Sequence, residues 1–170
     1  MERYERNDSM SSNNTIVVGV DETPAGASAL KWAAREAELR DAELKIVHVW
    51  QIDAAVAMAG AEVPWMAYES DARSNAARWV TETIGAQDPS GRPRRIDVVQ
   101  GAPGPTLVEA SREADMLVVG TRVHTGISRV LFGSVSHYCL THAQCVVVAV
   151  PTVSTGDVLD VESADELVDH

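Results

Sequence analysis

The segment Gly120-Thr121-Arg122-Val123-His124-Thr125-Gly126, continuing through Leu131-Phe132-Gly133-Ser134-Val135-Ser136, gathers residue types that can hold an anion. A glycine closes an apolar run, a polar loop follows, and a Gly-Ser pair opens a helical pattern. Exposed amides at a helix N-terminus, reinforced by the helix dipole, attract negative charge. Gly133 would let phosphate oxygens approach the backbone closely, and the Ser134 and Ser136 hydroxyls could donate to them. Arg122 and His124 could offset phosphate charge, or simply lie solvated in the loop. A purely architectural reading also fits: Gly120 makes a turn and Ser134 caps a helix. Asp21, directly after the first apolar run, reads by itself as a turn and capping aspartate.

The sequence offers less to a catalytic reading. His48, His137 and His142 are general-base types, yet none stands at a recognisable spacing from a nucleophile or carboxylate. No G-x-S-x-G elbow, H-E-x-x-H helix or P-loop lysine signature occurs, so dedicated catalysis is not expected. Cys139 and Cys145 are too few and too poorly spaced for a zinc site or a disulfide framework, and read as small buried thiols.

Residues such as these need a scaffold, and short apolar runs supply one. Thr15-Ile16-Val17-Val18-Gly19-Val20 is continuous and β-branched, as suits a strand buried on both faces. Thr23 is placed to cap a helix with Pro24 at its first position. Leu30, Ala33, Ala34 and Ala37 give that helix, over 25–40, one apolar face, and Glu36 and Arg40 can pair along it. A strand is predicted over 44–50, then a helix over 65–84 with Trp65, Tyr68, Ala72, Ala76 and Trp79 near one face. The turn residues of 87–93 lead to a strand over 96–99. Gly101-Ala102-Pro103-Gly104-Pro105 then opens a short helix through 113. A fourth strand over 116–119 halts at Gly120; a helix over 134–141 precedes a fifth strand over 145–150, stopped by Pro151. This alternation predicts an α/β fold: a five-stranded parallel sheet with helices on both faces. Ligands of such sheets lie beyond the carboxyl ends of the strands, where strand order reverses. A phosphorelay receiver shares the architecture but needs an aspartate ending strand three and a lysine after strand five. Gln100-Gly101 and Pro151-Thr152 stand there instead.

The chain has 170 residues, with 14 Lys+Arg against 25 Asp+Glu and a net charge of −11. Six of those acids fall between Asp157 and Asp169, where no Lys or Arg balances them. Such a balance disfavours nucleic acid and anionic membranes as partners. The longest apolar stretch, 54–61, is far short of the ~18 residues that a membrane span needs. The charged start MERYERNDSM carries no apolar signal segment, so a cytoplasmic location is expected. Residues 1–14 read as a disordered arm, 15–151 as the domain, and 152–170 as an acidic, disordered tail.

TIVVGVDETPAGASALKWA, VHVW, GAPGPTLVEAS, ADMLVVGTR and GSVSHYCLTHAQCVVVAV together resemble the universal stress protein family across 15–150. The resemblance implies the strand order 3-2-1-4-5 in a Rossmann-like sheet, and a stress-response module that binds ATP or another adenine nucleotide, with Mg accompanying ATP. It implies a site drawn from Gly19, Val20, Asp21, Val49, Gly120, Thr121, Arg122, Val123, Gly133, Ser134, Val135 and Ser136. In it Asp21 would meet the ribose, while Gly19, Val20 and Val49 would lie against adenine; Val49 is equally a core residue. ATP-binding relatives carry G-x2-G-x9-G-[ST], and here Gly120 and Gly133-Ser134 keep the spacing while Val123 replaces the second glycine. A branched side chain there intrudes on the phosphate space and resists positive φ, which is expected to weaken or abolish ATP binding. An ATP-independent dimeric scaffold is the alternative. The resemblance also makes the fifth strand an edge. Its six apolar residues from Cys145 to Val150 predict a homodimer through that edge.

Overall fold

The computed structural model describes residues 14–52, 64–86, 94–121 and 133–152. Along them run β1 (Thr15–Val20), α1 (Pro24–Arg40), β2 (Glu43–Trp50), α2 (Trp65–Ile84), β3 (Arg94–Gln100), α3 (Pro103–Ala110), β4 (Met116–Thr121), α4 (Ser134–His142) and β5 (Val146–Pro151). The expected arm up to residue 13, the turn at 87–93, Arg122, Val123 and His124, and the acidic tail from 153 lie outside the described residues.

The strands are all parallel, in the order β3-β2-β1-β4-β5 that the resemblance implies. Successive side chains of a strand point to opposite faces. Ile16, Val18 and Val20 accordingly pack with Leu30, Ala33, Leu44, Ile46, Val80 and Val118 beneath α1 and α2. Val17, Val47, Leu117 and Val119 pack with Leu107 and Cys139 beneath α3 and α4. Burial on both faces is why the central strands β1 and β4 read as nearly unbroken apolar runs. The seam between β1 and β4 joins distant parts of the chain: the Thr15 amide donates to Asp115 Oδ2 at 2.9 Å, and the Asp115 amide to the Thr15 carbonyl at 3.0 Å.

Helix α1 starts where the sequence places it. Thr23 is extended (φ −98°, ψ 162°), its hydroxyl accepts the Gly26 amide at 3.2 Å, and Pro24 follows. The helix ends at Asp41, which is left-handed at φ 56°. Asn14 donates its side-chain amide to the Arg40 and Asp41 carbonyls at 2.7 and 2.8 Å, which satisfies acceptors that a helix end leaves open.

Several boundaries differ from expectation. β3 begins at Arg94 because Arg94 and Arg95 pair with Leu44 and Lys45 of β2. β4 does not halt at Gly120 but continues to Thr121, opposite Pro151. Pro151 thus belongs to β5, which lies at the sheet edge, where a missing amide hydrogen is tolerated. α3 stops at Ala110, the next three residues forming turns. In α2, Ala76 and Val80 are buried while Tyr68 is exposed. This helix meets the sheet through its C-terminal half, so the predicted apolar face runs out before its start. No helix among the described residues is long and apolar enough to cross a membrane.

Candidate functional site

A cavity of about 260 Å³ lies where β1, β2 and β4 end, at the reversal of strand order. Nine of the twelve sequence-predicted site residues line it. Gly19, Val20 and Asp21 come from the end of β1, Val49 from the end of β2 and Gly120 from β4. Gly133, Ser134, Val135 and Ser136 come from the start of α4. The volume falls slightly below the ~300–1,000 Å³ usual for small-molecule sites.

Each contribution follows from local structure. Asp21 is exposed, and its Oδ1 accepts the Thr23 hydroxyl at 2.6 Å. A Cβ on Gly26 would collide with the Asp21 carbonyl and come within 2.5 Å of Oδ1, so the first turn of α1 closes over this residue only because position 26 is glycine. Gly120 allows a similar approach on the other side of β1, where a Cβ would strike the Ala25 backbone carbonyl. A Cβ on Gly19 would meet the side chain of Leu107 of α3.

The α4 side departs from expectation in one respect. Gly133, extended at φ −62° and ψ 162°, is the cap residue and supplies no side-chain cap bond; Ser134 is the first helical residue. Ser134 is therefore not the cap but an exposed side chain beside the first amides of α4. Ser136 is buried and donates to the Gly133 carbonyl at 3.0 Å, so its proton is engaged within the helix.

Thr121 requires a correction. It is 1% exposed, its hydroxyl donates to the Val150 carbonyl, and it is not among the lining residues, because β4 runs one residue further than predicted and pairs there with β5. Arg122 and Val123 lie outside the described residues. Sequence reasoning passed over Ala25, Gly26, Pro103, Leu107 and Val119, which also line the cavity. The signal was present: Pro103 opens the helix that follows β3, and every such junction lies at the same end of a parallel sheet. Leu107 and Val119 are apolar residues inside α3 and β4, and their types alone mark no site.

His48, His137 and His142 do not line the cavity. Burial pushes the Cys139 thiol up to about 11, with Cys145 adding to the effect, so it is no nucleophile at neutral pH. Among the described residues no three His, Cys, Asp or Glu side chains cluster as a metal ion would require. The lining residues divide into an apolar floor (Val20, Val49, Leu107, Val119), a carboxylate acceptor (Asp21) and a helix start with glycine and serine. That combination suits a small ligand with a flat apolar body, hydroxyl groups and an anionic end.

Comparison with known proteins gives a match to the Universal stress protein family over residues 12–151. Universal stress protein Rv2623 of Mycobacterium tuberculosis is 36% identical over 152 residues, which cover 83% of this chain and 50% of that protein. A universal stress protein of Mycolicibacterium smegmatis is 35% identical over 143 residues, 79% of this chain and 47% of its own. The chain thus spans about half the length of these curated relatives. Among solved structures, a universal stress protein in complex with cAMP is similar at a TM-score of 0.51 and 28% identity, covering 84% of this chain and 100% of that one. UspA from Lactobacillus plantarum, at a TM-score of 0.56 and 22% identity over 83% of this chain and 99% of its own, shares the fold.

Proposed function

The chain belongs to the universal stress protein family, and from that premise we propose that it binds an adenine nucleotide in the cavity at the carboxyl end of the sheet. The observation that carries this reading is the convergence of the Asp21 carboxylate and the start of α4 on one apolar cavity. The 28%-identical relative solved in complex with cAMP supports the ligand class. In this reading adenine lies against Val49 and the Gly19–Val20 backbone, ribose hydroxyls donate to Asp21, and phosphate meets the first amides of α4 beside Gly133, Ser134 and Val135. Val123, standing where ATP-binding relatives carry glycine, favours a mononucleotide over ATP. Asp21 is the one acid among the lining residues, so Mg²⁺ would be held chiefly by the phosphates of ATP.

The same protein is proposed to act in the cytoplasm as a homodimer joined through β5. This edge strand carries no charge from Val146 to Val150, and Val146 is 61% exposed.

Calorimetry with cAMP, AMP, ADP and ATP, with and without Mg²⁺, tests the site. We expect Asp21→Ala and Ser134→Ala each to weaken AMP binding by about tenfold, the loss of one hydrogen bond to a charged group. Only Asp21→Ala should also weaken adenosine. Unaltered affinity in both variants would reject the site. Failure of every nucleotide to bind would leave the dimeric scaffold as the reading.

A further inference from the structure

We infer that Thr23 is a positioning residue for this cavity, holding the Asp21 carboxylate in the orientation in which a ligand's sugar hydroxyls meet it. The inference rests on the adenine-nucleotide reading above. A threonine hydroxyl has one proton and two lone pairs. Here the proton goes to Asp21 Oδ1 at 2.6 Å, a length typical of a charge-assisted O–H···O⁻ bond, while a lone pair accepts the Gly26 amide at 3.2 Å. Pro24 fixes the backbone immediately after Thr23, so the hydroxyl takes its position from the start of α1. The carboxylate, two residues earlier and exposed, is thereby tied to the helix.

Without that tie, Asp21 would turn freely in solvent or compete for the cap, a role aspartate fills as well as threonine. Gly26 supplies the room: a side chain there would press on Oδ1 itself. With Oδ1 held, Oδ2 is the oxygen left for a ligand. Capping uses only the acceptor half of the Thr23 hydroxyl, whereas positioning uses the donor half. The two roles are therefore separable by substitution.

Thr23→Ser keeps both halves. Thr23→Asp keeps the acceptor and removes the donor. Thr23→Gly removes the hydroxyl with little loss as a cap and carries the test if the second carboxylate lowers the melting temperature. Calorimetry on the full chain with AMP and with 2′,3′-dideoxy-AMP reads the effect. Thr23→Ser should stay within about twofold of the unsubstituted protein. Thr23→Asp and Thr23→Gly should lose about tenfold for AMP, keep their affinity for the dideoxy compound, and add no further loss in an Asp21→Ala background. If the unsubstituted protein binds no AMP, the nucleotide reading fails and the inference with it. If it binds AMP, and Thr23→Asp and Thr23→Gly bind AMP unchanged or lose both nucleotides equally, the positioning role alone is overturned.

Discussion

Cys139 lies fully buried between α4 and the sheet, and its surroundings make protonation part of the fold. Burial first, and Cys145 second, push the thiol up to about 11. Below the ordinary thiol range near 8.5–9, both folded and unfolded chains are protonated, and this stabilising difference is fully present. As pH rises further the unfolded chain ionises first, so stability falls until the pH passes about 11, by roughly 2–3 kcal/mol in all. Urea melts from pH 8 to 11 should therefore show a steeper decline for the natural protein than for Cys139→Ala. Parallel declines would mean that the thiol is not the group responsible. Residue type alone could not have revealed this, nor could it separate Ser134 from Ser136. Both are serines at the start of a helix, yet one is exposed beside the first amides and the other donates inward to Gly133. The sequence identified the hydroxyls; the turn of the helix decides which one stays exposed.

At the scale of elements, glycines set how closely the layers approach. Position 120 faces the Ala25 backbone of α1, which cannot move without shifting the helix, whereas position 19 faces the end of the Leu107 side chain, which can rotate. Gly120→Ala should therefore cost about 2–3 kcal/mol and Gly19→Ala about 1 kcal/mol, within the usual range for overpacking. Urea midpoints at unchanged m-value measure both. Equal losses would show that the α1–β4 approach is not what requires Gly120. Existence and order of the elements were legible because a doubly covered parallel sheet writes its strands as apolar runs, and Thr23-Pro24 is readable as a helix start. Strand ends were less legible. Thr121 and Pro151 look like loop residues, and only their pairing across β4 and β5 makes them strand. The same pairing removed Thr121 from the cavity. Pro103 and Gly26 entered it unforeseen because what they line is created by two elements meeting, not by either alone.

For the whole molecule, the two sheet edges are unlike. β3 carries Arg94, Arg95 and Asp97, with an Arg95–Asp97 ion pair at 2.8 Å, and such charge discourages pairing with another chain. β5 has no such guard. Val148 and Val150 pack toward the α1 side, so a lysine at 148 would test folding more than association. Val146 is the better probe. Val146→Lys should shift the protein toward monomer in sedimentation equilibrium with little change in melting temperature, and an unsubstituted protein already monomeric at micromolar concentration would remove the dimer. The β1–β4 seam has a consequence in time. It ties Thr15 to Asp115, so the chain must close a loop of about that span before the sheet is continuous, a slow search compared with the neighbouring crossovers. The cavity straddles this seam, taking Asp21 from one flank and α4 from the other. A ligand gripping both flanks acts after the slow closure and resists its reversal. Occupancy would then lengthen the lifetime of the native state without hastening its formation, and the abundance of such a protein in a cell would track the supply of its ligand.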